Sequence, residues 1–143
     1  MTLVVATGTF DLLHPGHVLY LERSRALGDE LVVIVARDVN VRHKPKPILP
    51  EQQRLRMISS LKVVDRAVLG EVGDIFRTIE QLEPDIITLG YDQHFDESTL
   101  QRELLCRGLN PRIVRIEDHE PGPLCSSSRI VNKILERFRG RRI

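Results

Sequence analysis

Residues 3–24 read LVVATGTFDLLHPGHVLYLERS, and this stretch decides the fold. Leu3–Ala6 is a β-type run without alternation, as expected of a strand buried on both faces. It ends in Gly-Thr-Phe, and two histidines then bracket Pro-Gly where an apolar helical pattern begins. Pro15 suits the first turn of a helix, where its missing N–H costs nothing. Strand, tight turn and helix start thus occupy one short segment, the opening half of a βαβ unit.

The same alternation continues outward. Further β-rich runs lie at Leu31–Ala36, Ala67–Leu69, Ile86–Leu89 and Ile113–Ile116. Between and after them, Ile75, Ile79 and Leu82 repeat at helical spacing, as do Ile130, Ile134, Leu135 and Phe138. Gly28 and Pro84 read as helix stops. The expectation is a Rossmann-like three-layer α/β/α fold with a five-stranded parallel sheet, residues 1–143 forming a single domain. In such folds ligands bind beyond the carboxyl ends of the strands, where the strand order reverses. That points to four loops: Thr7–His17, Arg37–Pro50, Gly90–Phe95 and Glu117–Ser128.

Composition narrows the partners. With 143 residues, 41% hydrophobic and 29% charged, the chain has the make-up of an ordinary globular protein. A formal net charge of +1 argues against electrostatic capture of nucleic acid or an acidic membrane. The basic run Arg137, Arg139, Arg141 and Arg142 reads as a helix end complementing its dipole. No stretch has membrane length, and no signal peptide follows Met1, so a cytoplasmic setting is expected. The two cysteines, Cys106 and Cys125, make no disulfide framework. A homodimer is expected only because small sheets commonly pair.

His14 and His17 lie on one side of the helix start, beside free backbone N–H groups and the positive end of the helix dipole. Gly16 carries no side chain to hold a phosphate away, and Gly8 permits the turn. Three readings stand side by side: an anion site, a helix cap, and two ligands of a metal whose other ligands spacing does not reveal. The dinucleotide fingerprint G-x-G-x-x-G is absent.

GTFDLLHPGH resembles the HxGH signature of small nucleotidyltransferases, the group of cytidylyltransferases and pantetheine-phosphate adenylyltransferases. Along the rest of the chain, LGDELVVIVARD, KPKPILPEQQRL, LKVVDRAVLG, PDIITLGYDQHFD and CSSSRIVNKI together resemble the archaeal FAD synthases. The resemblance implies transfer of AMP from ATP to FMN, and a divalent cation, magnesium, bridging the phosphates is expected on charge grounds. His14 and His17 would stabilise the α-phosphate and leaving pyrophosphate, and Lys44 and Lys46 would bind phosphates. Thr9, Phe10, Pro15, Gly16 and Asp92 would meet the nucleotide, as would Ser126, Ser127, Ser128 and Arg129 in the place of the ISTT-K segment.

The loop DHEPGPLC departs from the cytidylyltransferase pattern R-T-E-G by lacking its arginine, leaving His119 as a candidate cationic substitute. That absence favours the FAD synthase branch, with two alternatives beside it: a cytidylyltransferase acting on glycerol 3-phosphate or a similar small alcohol phosphate, and a non-catalytic nucleotide-binding sensor.

Overall fold

The computed structural model describes residues 1–42 and 44–141, so Arg142 of the C-terminal basic run lies outside the described residues. Among the described residues five strands alternate with five α-helices: β1 (Leu3–Gly8), α1 (Pro15–Arg25), β2 (Glu30–Val35), α2 (Glu51–Ser59), β3 (Arg66–Leu69), α3 (Ile75–Leu82), β4 (Ile86–Gly90), α4 (Glu97–Cys106), β5 (Arg112–Ile116) and α5 (Ser127–Phe138). All strands pair in parallel, in the order β3-β2-β1-β4-β5. The chain winds outward from β1 to β3, returns, and winds the other way, so the order reverses between β1 and β4.

Strand alternation divides the core. Val4, Ala6, Leu31, Val33 and Val35 face α1 and α2, packing with Tyr20, Leu21 and Ile58. Val5, Val32, Ile34, Ile87 and Leu89 face α3 and α4, packing with Ile79, Leu100 and Leu104. Burial on both faces is why these strands read as unbroken apolar runs. The lower edge of the sheet is pinned by aspartates: Asp29, Asp85 and Asp65 accept from the backbone N–H groups of Thr2, Leu3 and Leu31.

Gly28 follows the end of α1 as expected of a helix stop and also serves close approach, since a Cβ there would stand 2.7 Å from Val4 and 2.8 Å from the Thr2 carbonyl. The apolar stripe of α5 is not core: the helix buries none of its residues, and Leu135 is 62% exposed. Among the described residues no helix is long and apolar enough to cross a membrane.

Candidate active site

At the top of β1 the backbone turns sharply. Phe10 takes a left-handed conformation (φ 55°) and folds its ring back over Gly8, where a Cβ would lie 2.7 Å from that ring. Phe10 is 4% exposed and stacks on Tyr20, with 6.4 Å between ring centroids. Its ring therefore belongs to the floor of the site and to the core, leaving only its backbone for a nucleotide. Tyr20 is fixed in turn by donating to the Thr88 carbonyl at 2.8 Å. Burial pushes the Tyr20 hydroxyl up to about 12, so it stays a proton donor throughout the working pH range.

The two histidines close the helix. His14 is the N-cap of α1, and its Nδ1 accepts from the Gly16 N–H at 3.1 Å. His17 returns the bond, its Nδ1 accepting from the His14 N–H at 3.4 Å. This is a capping box built from imidazoles. The rings stack with centroids 3.8 Å apart, and the edge of Phe10 supports His17 at 5.4 Å.

A nitrogen that accepts carries no proton, so both rings hold theirs on Nε2. Burial, followed by the His14 ring and the Lys44 charge, lowers His17 to about 3. His14 is also lowered, chiefly by burial, against an opposing pull from Asp92. The pair is thus neutral, with two Nε2–H donors. Cap and anion site are compatible readings, because each uses a different edge of the ring.

Gly16 is required twice over. A Cβ there would sit 2.8 Å from the His14 ring and 3.2 Å from the Cys125 carbonyl, so the segment leading into α5 packs directly on the HPGH turn. Ser127 Oγ completes this docking by donating to the Leu12 carbonyl at 3.2 Å. Ser126 caps α5, accepting from the Arg129 N–H at 3.2 Å. Two of the three serines therefore have structural bonds, and Ser128 and Arg129 remain exposed.

The lysine loop lies on the β2 side. Lys44 is exposed and close enough for its charge to act on His17. Lys46 Nζ donates to the Asp38 carbonyl at 2.8 Å. Across the reversal point, Asp92 is exposed and acts electrostatically on His14. His119 is exposed and packs against Tyr91 with ring centroids 5.1 Å apart. His14, His17, Lys44 and Asp92 thus interact directly or through their charges, and Gly16 and Ser127 join α5 to them.

Three residues that hold this arrangement have no counterpart among the sequence candidates. Gln93 bridges β1 and β4, accepting from Gly90 N–H at 2.7 Å and donating to the Thr7 carbonyl at 3.0 Å. Arg115 donates to the carbonyls of Gly90 and Gln93 at 2.9 Å, and also to that of Phe95, shaping the loop that carries Asp92. Arg54 is fully buried beneath the lysine loop. Its one sequence signal is its spacing, four residues before the buried Ile58, which places a charge on the apolar stripe of α2. The glutamine and the second arginine leave no such trace.

The histidine turn lies at the reversal point of a doubly wound parallel sheet, the place where such folds bind anionic ligands. Residues 5–133 match the Cytidylyltransferase-like family. The chain is 68% identical over 136 residues to an FAD synthase of Methanothrix thermoacetophila, covering 95% of each chain. It is 59% identical to an FAD synthase of Archaeoglobus profundus, covering 99% of this chain and 91% of that one. A solved lipopolysaccharide core biosynthesis protein from Thermoplasma volcanium superposes with a TM-score of 0.81 at 54% identity, covering 84% of this chain and 99% of that one. The chain belongs to the cytidylyltransferase-like family and, within it, to the archaeal FAD synthases.

Proposed function

We infer that residues 1–143 form one catalytic unit that transfers AMP from ATP to FMN, yielding FAD and pyrophosphate. A phosphate oxygen of FMN forms a bond to the α-phosphorus of ATP while the bond to the bridging α–β oxygen breaks. The FMN phosphate is already ionised, so the protein need not supply a strong base. Its task is to juxtapose two anions and neutralise charge on the transferring group.

The observation that carries this reading is the reciprocal histidine cap, which keeps both Nδ1 atoms occupied and both Nε2–H groups available at a helix N-terminus. In the proposed assignment these two donors meet the α-phosphate and the departing pyrophosphate. Being neutral, they add direction and little charge. Lys44, Lys46 and Arg129 supply the positive charge, Ser128 adds a hydroxyl, the amides of Thr9 and Phe10 line the approach, and Gly16 leaves room beside the rings. Asp92 and His119 stand on the nucleotide side.

Among the described residues no group of three or more His, Cys, Asp or Glu side chains is arranged to hold a metal. That donor set fits a cation brought in by the triphosphate and held mainly by phosphate oxygens and water. Magnesium is the proposed ion, and when bound it would offset charge on the phosphates. A cytoplasmic setting belongs to the same proposal.

The test is to incubate the purified protein with magnesium and either ATP or CTP, against FMN or glycerol 3-phosphate, and to measure pyrophosphate and FAD. Both products are expected from ATP with FMN only. Pyrophosphate from CTP with glycerol 3-phosphate alone would replace the substrates and keep the chemistry. Tight nucleotide binding without pyrophosphate would make the protein a sensor.

A further inference from the structure

Segment 48–49, just beyond the lysine loop, is gripped from two sides. From the histidine loop, Asp11 offers both carboxylate oxygens, one to the Ile48 N–H and one to the Leu49 N–H, each at 2.9 Å. From below, Arg54 Nε donates to the Leu49 carbonyl at 2.9 Å. The same guanidinium donates through Nη1 to the Thr9 carbonyl at 2.7 Å and the Ala36 carbonyl at 2.9 Å, and through Nη2 to Asp38 at 2.6 Å. One side chain therefore ties together the turn after β1, the end of β2 and the lysine loop. Lys46 rests on the carbonyl of that same Asp38.

Stability alone is a weak reason for this arrangement. A well-packed apolar side chain is often at least as stabilising as a buried ion pair. An apolar residue cannot, however, fix three carbonyls from three loops relative to one another. A planar fork with five donors can.

We propose that Asp11 and Arg54 are positioning residues that hold the lysine loop against the histidine loop, so that Lys44 and Lys46 grip a polyphosphate through a geometry these two residues set. This rests on the functional reading above for the lysines' role, and adds a dependence of that role on residues that touch no substrate.

Asp11→Ala is the probe, because it removes both amide contacts while leaving the buried arginine in place. Amide hydrogen exchange at Ile48 and Leu49 should quicken about tenfold or more. Affinity for inorganic tripolyphosphate, measured by titration calorimetry, should fall about tenfold. Asp11→Asn, which retains one acceptor oxygen, should lie between the two.

A mutant cycle then separates positioning from general weakening. In a Lys44→Ala/Lys46→Ala background, Asp11→Ala should change tripolyphosphate affinity less than about twofold. In a His17→Gln background it should keep its full effect. Unchanged exchange in Asp11→Ala, unchanged affinity, an equal loss in the lysine-free background, or no binding of tripolyphosphate by the parent would each overturn the proposal. A parent that binds tripolyphosphate but makes no FAD from ATP and FMN refutes the functional reading instead, and the cycle still decides the positioning.

Discussion

His17 combines two duties that separate experiments can pull apart. Its Nε2–H is the proposed transition-state donor, and losing such a donor costs on the order of a hundredfold in turnover. His17→Ala is therefore expected to make FAD at least a hundredfold more slowly, read as single-turnover rates. The burial of the ring predicts a pH effect independent of chemistry. The folded ring titrates at about 3 against 6.5 when unfolded, so the unfolded state binds the extra proton between those values. Its contribution to stability is complete above pH 6.5 and is lost as pH falls towards 3. Urea unfolding at stepped pH should show the wild type losing up to about 1.4 kcal/mol per pH unit more than His17→Gln across that window. Equal slopes would mean that the ring is not held neutral.

At the scale of elements, the contact between the HPGH turn and the start of α5 is the joint most sensitive to volume. Gly16→Ala pushes a methyl into the His14 ring and towards the Cys125 carbonyl, and overpacking of this kind costs about 1–3 kcal/mol. Denaturant titration should register that loss. Ser126→Ala should cost about 1 kcal/mol through its cap alone.

The strands and the four loops above them were legible because parallel strands covered on both faces carry unbroken apolar runs. The HPGH turn was legible because proline and glycine mark it. What sequence does not carry is bonding from side chains to distant backbone carbonyls. Gln93 finds Thr7, and Arg115 finds Gly90, only once β1, β4 and β5 lie side by side. The α5 stripe was legible as a helix, but helical periodicity records amphipathicity and not what covers it.

For the whole molecule, the deepest dependence is on Arg54. Its replacement by methionine leaves the part-buried carbonyls of Leu49, Thr9 and Ala36 without this donor and Asp38 without its arginine, a loss of about 3 kcal/mol. Calorimetric melting should place Arg54→Met well below the parent. Leu135→Ala, on the uncovered face of α5, should stay within about 0.5 kcal/mol of it. The histidine cap carries a consequence of another kind. Because the same lone pairs that seal the first turn of α1 also decide which ring edge keeps its hydrogen, the tool is set by the act of folding. A chain whose first turn has frayed has lost the proposed donors as well, so heat or acid should abolish product formation with the onset of local fraying, ahead of global collapse.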